Sequence, residues 1–276
     1  MKSPLVSVIV PTKNSSRTLE ACLRSIKDQT YSSIEIIVVD NFSSDSTPDI
    51  ARRFTKKFYS KGPERSYQRN FAVEKATGEY VFIIDSDMKL EPNVVEECVQ
   101  QMSVQGTVGV TVPEISFGEG FWAQCKRLER SFYVGVPYME AARFFRLADF
   151  VTAEGYDVSM VSGEDWDLSQ RIAAKGTLAH ASSFIHHDEG KISLLTTIKK
   201  KLYYAKLFAS YKDAANDRKN VAKQTNLIGR YWLFLSQPKK LFRNPLLGMG
   251  MLFMKTCEFF FGGLGFLAGQ LFGRRR

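Results

Sequence analysis

Cysteine and histidine are scarce in this sequence. Its four cysteines stand far apart, and no two form the C-x-x-C pair typical of zinc and redox sites, so we expect ordinary reduced thiols. The chain has only three histidines and no internal repeat or low-complexity linker. It begins with Met1–Pro4 and enters a strand-like run without an apolar leader, so we expect the folded part to face a reducing cytosol.

Acidic residues are scarce towards the end of the chain. Residues 191–276 carry 17 Lys and Arg against 3 Asp and Glu, whereas residues 1–190 carry 21 against 26. The net charge of +9 therefore comes from the tail, which is also the most apolar part. A basic and apolar segment is typical of binding to an anionic membrane surface. We expect no nucleic-acid partner, because such proteins usually spread basic residues over a polar folded face.

Strand-like and helix-like segments alternate in the first part of the chain. Apolar runs rich in β-branched residues occur at 5–10, 34–39, 80–84 and 108–112, with helical spacing at 16–28, 46–58, 64–76 and 92–102. This alternation predicts an α/β fold in which helices flank a Rossmann-like, mostly parallel central sheet. Since parallel strands end at one edge of a sheet, the loops after the first three runs should gather there.

Two carboxylates, Asp85 and Asp87, follow the third apolar run directly. Open α/β sheets bind ligands at the carboxyl ends of their strands. Two acids one residue apart can hold a hard divalent cation while a diphosphate supplies further oxygens. Surface turns also contain Asp without any such function. The apolar strand before this pair favours metal-assisted chemistry on a nucleotide.

Five segments in their order and spacing resemble the family 2 glycosyltransferases of the GT-A fold. They are Val8–Asn14, Val38–Thr47, Gly62–Asn70, Asp85–Asp87 and Glu164–Asp167. The resemblance covers about residues 5–190. It implies an inverting glycosyltransferase that takes a sugar from a GDP- or UDP-linked donor and uses Mg²⁺ or Mn²⁺ as its cofactor.

The resemblance also implies which residues contact the nucleotide. Pro11, Thr12 and Asn14 would lie beside the base and ribose, and Asp40 would contact the base. Asp40 could instead cap the loop that follows it as an Asx turn.

The diphosphate and the metal would be bound by a second group of residues. The resemblance directs Arg69 at the diphosphate, because a guanidinium suits phosphate oxygens; a solvated surface position is the alternative. Asp87 would be the direct metal ligand, and Asp85 would reach either the metal or the ribose. His187, in the segment His186–Glu189, is either a ligand of the metal or diphosphate or a structural histidine.

Asp165 is the expected catalytic base, with Glu164 beside it. An acceptor hydroxyl must lose its proton as it attacks the anomeric carbon, and a carboxylate within hydrogen-bond reach can take that proton. Direct displacement would invert the anomeric centre. Acids at a helix N-terminus also stabilise the helix dipole, and both roles can hold together. Trp166 would be either a wall of the acceptor site or a core residue.

The predicted domain organisation has three parts, two of them in the tail. We expect a catalytic domain at 1–190, amphipathic interface helices at 191–245 and an apolar segment at 246–276. Leu246–Phe272 exceeds the roughly 20 residues that cross a bilayer, but contains Lys255 and Glu258. A helical hairpin or two short interfacial helices would keep Arg274–Arg276 and the earlier basic cluster on one side. A single span and a core helix are the alternatives.

A membrane-bound tail implies a lipid or lipid-linked acceptor at the cytoplasmic side of the membrane, because anchoring raises the effective concentration of such a hydroxyl. Two other functions would require different sequence features. A sugar-1-phosphate nucleotidyltransferase would need a G-x-G-T-R-like loop where Pro11–Asn14 stands. An inactive sugar-binding or membrane-scaffold relative predicts loss of the acidic residues, and all are present.

Overall fold

A computed structural model describes residues 3–160, 162–214 and 226–272. In chain order its elements are β1 (Val6–Thr12), α1 (Leu19–Lys27), β2 (Ile34–Asp40), α2 (Thr47–Phe54), β3 (Phe58–Ser60), α3 (Arg65–Glu74), β4 (Tyr80–Ile83), β5 (Met88–Leu90), α4 (Val94–Met102), β6 (Thr107–Thr111), β7 (Glu114–Glu119), α5 (Phe121–Ser131), β8 (Ala142–Arg146), α6 (Leu147–Thr152), α7 (Glu164–Ala173), β9 (Thr177–His180), β10 (Ile185–Lys191), α8 (Leu194–Ala214), α9 (Leu227–Leu235), α10 (Pro238–Leu241) and α11 (Pro245–Phe272). They form two compact units.

The first unit comprises residues 1–114, 141–158 and 164–188 and contains a seven-stranded sheet. The strand order is β3-β2-β1-β4-β8-β6-β9. β1 to β4 are mutually parallel and β9 is parallel to β6, whereas β8 runs antiparallel to both of its neighbours. The predicted α/β class with a mostly parallel sheet is confirmed.

β8 is one of three strands of this sheet, with β3 and β9, that the sequence pattern did not predict. Its residues Ala142 and Phe145 pack into one layer of the core, and Phe144 packs into the other, so both faces of the strand are buried. Arg143 and Arg146 interrupt the apolar pattern that would have indicated a strand. The strand is stabilised by its position between β4 and β6 rather than by a recognisable local period.

Two apolar layers cover the faces of this sheet. Val8 and Val10 of β1 point into a layer completed by α1, α2 and α4, while Ile9 points into a layer completed by α3 and α7. This alternation follows from the two-residue period of a strand. Helices on both faces leave the ends of β1, β2 and β4 available to position polar side chains.

The second unit comprises residues 115–140, 159–163 and 189–276, and its described part is mainly helical. Phe132, Phe234, Leu241, Met251 and Met254 lie in its apolar core. The unit therefore includes residues 115–140, which lie within the expected catalytic domain at 1–190. The predicted basic flank Arg274–Arg276 lies outside the described residues.

A network of buried charges joins α5 to α11 in this second unit. Lys255 Nζ lies 2.5 Å from Glu129 Oε1 and 2.6 Å from Glu258 Oε2, and Lys126 Nζ lies 3.2 Å from Glu258 Oε1. Tyr133 donates to Glu129 over 2.6 Å. The two charges that interrupt the apolar tail sequence are thus neutralised by α5, since buried charges require close partners.

The expectation of a hairpin in the tail is wrong. α11 runs without interruption from Pro245 to Phe272, and the segment Pro245–Ala268 is long and apolar enough to cross a membrane. Gly250 and Gly265 serve close packing rather than a turn. A Cβ on Gly250 would lie 2.4 Å from the Phe121 ring, and one on Gly265 would lie 2.5 Å from the Leu202 carbonyl.

Candidate active site

Arg69, on α3, lies at the centre of a cluster of three carboxylates in the first unit. Its Nη2 contacts Asp85 Oδ1 at 2.7 Å, and its Nη1 contacts Asp165 Oδ1 at 2.9 Å and Glu164 Oε1 at 3.5 Å. The Tyr156 ring covers the guanidinium, with its centroid 5.0 Å from Cζ. The structure therefore brings Asp85, at the end of β4, together with the first turn of α7.

The position of Arg69 differs from the phosphate-binding position expected for it. The side chain is fully buried, and both terminal nitrogens are already occupied by carboxylates. A guanidinium in this position fixes the carboxylates around it, because it can donate in several directions within one plane. Arg65 supports the same cluster, with Nε 2.6 Å from Glu164 Oε1.

The surroundings of Asp85 and Glu164 move their pKa values in opposite directions. Burial raises the pKa of Asp85, but Arg69 and then Arg143 outweigh it and hold the pKa below its ordinary value. Burial, followed by repulsion from Asp165, raises the pKa of Glu164 despite its two arginine neighbours. Charged and uncharged carboxyl groups can therefore coexist in one small cluster.

His187 lies between Asp87 and a second carboxylate, that of Glu114. β10 pairs antiparallel with β5, which places His187 opposite Met88 and next to Asp87. His187 Nε2 lies 3.3 Å from Asp87 Oδ2, and its Nδ1 lies 3.6 Å from Glu114 Oε2. Burial lowers the pKa of His187, but the Asp87 and Glu114 carboxylates that face its two ring nitrogens outweigh it and raise the pKa to about 10.

These residues fit a divalent cation when a diphosphate completes the ligand set. Asp87 would present an oxygen ligand and His187, once a cation displaces its proton, a nitrogen ligand beside it. The buried His187 Nδ1 lacks a hydrogen-bonded partner. Both Asp85 oxygens already contact arginines. Within the described ranges no three His, Cys, Asp or Glu side chains form a ready-made metal cluster. Binding through few protein ligands plus phosphate oxygens is typical of such nucleotide sites.

The loops after β1 and β2 are joined by a second set of hydrogen bonds. Thr12 donates to Asp40 Oδ1 over 2.9 Å, and Asn14 accepts from the Ser44 backbone over 2.9 Å. Asn14 has a φ of 47°, a left-handed conformation that Asn tolerates. Asp40 also accepts from the Ser43 backbone over 2.8 Å, so it caps its loop as the alternative interpretation proposed.

Gln68 connects these loops to the carboxylate cluster. Its side-chain amide donates to the Thr12 carbonyl over 2.9 Å and to the Val39 carbonyl over 2.6 Å, while the next residue is Arg69. Pro11, at the end of β1, is buried beside them. One turn of α3 thus contacts the ends of β1 and β2 through Gln68 and the end of β4 through Arg69.

Four residues in the described part of this cluster were not predicted from the sequence: Arg65, Glu114, Arg143 and Tyr156. Glu114 could have been noticed, because it follows the fourth apolar run and so lies at a strand end. Arg143 belongs to β8, where two arginines interrupt the apolar pattern. Tyr156 is held by Asn70, which accepts from its backbone N–H over 2.9 Å and donates to its carbonyl over 2.8 Å.

Comparison with known proteins identifies the family. A family model described as glycosyl transferase family 2 matches residues 7–162, which is more than half of the chain. The chain belongs to glycosyl transferase family 2. This match begins within β1 and extends over the loops, Arg69, and the Asp85–Asp87 pair of this family 2 chain.

Curated relatives match this family 2 chain over part of their length. The putative glycosyltransferase EpsH of Bacillus subtilis is 34% identical over 106 residues, covering 36% of this chain and 31% of EpsH. The GalNAc(5)-diNAcBac-PP-undecaprenol beta-1,3-glucosyltransferase of Campylobacter jejuni is 32% identical over 108 residues, covering 36% of this chain and 34% of that protein. The chain thus matches about a third of the length of these relatives.

Solved structures with little sequence identity share the fold of this family 2 chain. The mannosyltransferase PcManGT from Pyrobaculum calidifontis, solved with GDP-Man and Mn²⁺, has a TM-score of 0.59 at 19% identity and covers 90% of this chain and 74% of its own. TarS 1–349 of S. aureus with UDP-GlcNAc has a TM-score of 0.53 at 15% identity, covering 97% and 92%. The GT-A fold expected from the sequence is confirmed.

Proposed function

We propose that this chain is an inverting, metal-dependent glycosyltransferase that transfers a sugar from a GDP- or UDP-linked donor to a hydroxyl of a lipid or lipid-linked glycan. One observation carries the proposal. A single guanidinium, that of Arg69, joins Asp85 at the donor end of the sheet to Asp165 at the start of α7. A carboxylate for the acceptor hydroxyl is thereby fixed beside the residues that would hold the donor.

Asp165 is the proposed base. Its carboxylate is partly exposed, whereas Glu164 is buried against Arg65, so Asp165 is the one of the two that an acceptor can reach. It would accept the hydroxyl proton as that oxygen attacks the anomeric carbon from the face opposite the diphosphate. Attack from that face inverts the anomeric centre. Arg69, with Nη1 2.9 Å from Asp165 Oδ1, would hold the carboxylate in its orientation for this step.

Asp87 and His187 are the proposed protein ligands of Mg²⁺ or Mn²⁺. A bound cation would stabilise the negative charge that develops on the leaving diphosphate. PcManGT was solved with GDP-Man and Mn²⁺, and TarS with UDP-GlcNAc, which supports a nucleotide-sugar donor here. Thr12, Asn14 and Asp40 would border the nucleoside, because the loops that carry them meet at the same strand ends.

A thermal-shift series with GDP or UDP tests this assignment, with and without Mn²⁺ or Mg²⁺. A ligand that binds the folded state raises the melting temperature in proportion to the logarithm of its concentration over its dissociation constant. We expect one nucleotide to stabilise the protein only when the cation is present. If neither nucleotide shifts the transition under any condition, the proposed donor chemistry is refuted.

Substitution Asp87→Ala is expected to weaken cation-dependent nucleotide binding by about 10- to 100-fold, because it removes a ligand from a site with few protein ligands. The measurement is the same thermal-shift titration, followed by calorimetry with the preferred nucleotide. Asp188→Ala is the matched control, since Asp188 is a nearby acid paired with the exposed Arg17. An unchanged cation requirement in Asp87→Ala would remove Asp87 as a ligand.

The second unit carries an exposed apolar surface suited to a membrane. On α11 the exposed apolar side chains recur at intervals of three, four or seven residues, as Leu246, Met249, Phe253, Phe260, Leu264 and Leu267. On α9, Ile228 and Trp232 are 83% and 72% exposed. Lys239, Lys240 and Arg243, between these helices, are also exposed. Apolar side chains with adjacent basic residues are typical of segments bound to anionic bilayers.

Binding in the plane of the membrane explains this surface better than a single span. Lys255 and Glu258 are buried against α5, so a span through this part of α11 would place the α5 charges in the hydrocarbon as well. An in-plane helix leaves that network inside the protein. The Campylobacter jejuni relative is named for an undecaprenol-linked substrate, which supports a lipid-linked acceptor for this chain too.

The double substitution Ile228→Ser with Trp232→Ser is expected to lower the affinity of the full chain for anionic vesicles by about tenfold or more, because two large apolar side chains no longer enter the bilayer. The measurement is flotation with phosphatidylcholine vesicles, with and without phosphatidylglycerol. Removing residues 226–276 is a poorer test, since the buried Phe234 and Met251 would be lost from the core.

The matched control is Val104→Ser with Val151→Ser, two exposed apolar residues of the first unit at 58% and 61% exposure. The control should float like the wild type. Equal flotation of the α9 variant and the wild type would contradict the proposed membrane surface.

A further inference from the structure

Glu114 divides its two carboxylate oxygens between two different neighbours. Its Oε1 lies 2.7 Å from Arg143 Nη2 and accepts from Arg143 Nε over 2.8 Å. Its Oε2 lies 3.6 Å from His187 Nδ1. Glu114 therefore faces both side chains from a strand-end position that the sequence resemblance did not include.

Each of those neighbours contacts one member of the Asp85–Asp87 pair. Arg143 Nη1 lies 3.5 Å from Asp85 Oδ2, and His187 Nε2 lies 3.3 Å from Asp87 Oδ2. The contacts run from Asp85 through Arg143, Glu114 and His187 to Asp87. The two acids are one residue apart in sequence, so this path of side chains forms a ring that constrains both of them.

The His187 ring in this path has the arrangement of a metal-binding histidine. Such histidines almost always donate their second ring N–H to a carboxylate, which fixes the tautomer and the orientation of the ring. Here Nε2 faces Asp87, and Nδ1 is buried, with Glu114 beyond hydrogen-bond distance as its facing carboxylate. A small approach of the two would complete the hydrogen bond.

We propose that Glu114 is a positioning residue for the metal site, acting through His187 on the cation and through Arg143 on Asp85. This inference rests on the proposed metal dependence and goes further, because it assigns a function to a residue that touches neither the donor nor the cation. Loss of the Glu114 carboxylate should leave the His187 ring free to rotate and so weaken the cation site.

Mn²⁺ binding to the full chain, in the presence of a fixed concentration of GDP or UDP and measured by electron paramagnetic resonance of the free ion, tests the proposal without any turnover. We expect Glu114→Gln to weaken Mn²⁺ binding by about 10- to 100-fold, the usual effect of losing such an outer carboxylate. Glu91→Gln is the matched control. Glu91 forms a similar pair with the adjacent His186, at 3.0 Å, and does not contact Asp87 in the described structure. Its Mn²⁺ affinity should equal that of the wild type.

A double-mutant cycle separates positioning from a general loss of structure. If Glu114 acts through His187, Glu114→Gln should have little further effect on Mn²⁺ affinity in a His187→Ala background, because the two changes remove one interaction. Fully additive losses, or an unchanged affinity in Glu114→Gln, would overturn the inference while leaving the proposed function intact. No saturable Mn²⁺ binding by the wild type would instead refute the metal assignment itself.

Discussion

Substitution Asp165→Asn is expected to slow sugar transfer by about 10²- to 10⁴-fold, the usual contribution of a positioned general base. The amide has nearly the same shape, and its oxygen can still accept from Arg69, so the fold and the donor site should be retained. The measurement is release of GDP or UDP from GDP-mannose or UDP-GlcNAc, whichever the wild type uses, with detergent-solubilised membranes as the acceptor source.

Two controls make this result specific to proton removal. Thermal-shift titration should show donor binding by Asp165→Asn close to that of the wild type. Asp49→Asn changes another acid in the first turn of a helix. Asp49 is 85% exposed and pairs with Arg52, outside the carboxylate cluster, so turnover by this variant should be normal. Turnover by Asp165→Asn equal to that of this control would remove Asp165 as the base.

Substitution Arg69→Met should lower the free energy of unfolding by about 3–5 kcal/mol, the usual cost of removing one member of a buried ion pair. Three carboxylates would lose a shared cation, and Asp165 would be left facing Glu164 with Arg65, on the Glu164 side, as the remaining cation. Arg69→Lys should restore only part of this loss, since an ammonium cannot donate along the separate directions of a guanidinium. Urea denaturation of the three proteins measures the difference.

The comparison for Arg69 is Arg17→Met. Arg17 contacts Asp188 at 2.8 Å, but its side chain is 62% exposed. Exposed pairs contribute little, so the change in unfolding free energy should stay within about 1 kcal/mol. If Arg69→Met destabilises the protein no more than Arg17→Met, the cluster does not depend on Arg69 as described.

Much of the fold could be predicted because its signals are local. The runs that became β1, β2 and β4 are apolar and β-branched, and the helices between them have clear periods, so the mostly parallel sheet followed directly. The rule that ligands bind at strand ends then selected Asp40, Asp85 and Asp87 before any coordinates. β8 was missed because two arginines interrupt a five-residue strand.

Roles that depend on contacts between distant residues could not be predicted in this way. The sequence placed Arg69 on a helix, but only packing showed that its guanidinium is buried among Asp85, Glu164 and Asp165. Glu114 and His187 are separated by more than 70 residues, and they approach because their strands, β7 and β10, are neighbours in one sheet. A hydrophobic period describes one segment at a time, and it contains no information on distances between residues far apart in the chain.

By itself, the sequence determined the fold class, the polar residues at the strand ends and the basic, apolar character of the tail, because each follows from residues close together in the chain. Only the tertiary structure decided that α11 is one continuous helix whose Lys255 and Glu258 are neutralised by α5. It also decided which carboxylates share Arg69. The physical reason is that the energy of a charge depends on its burial and its neighbours, and both are set by packing.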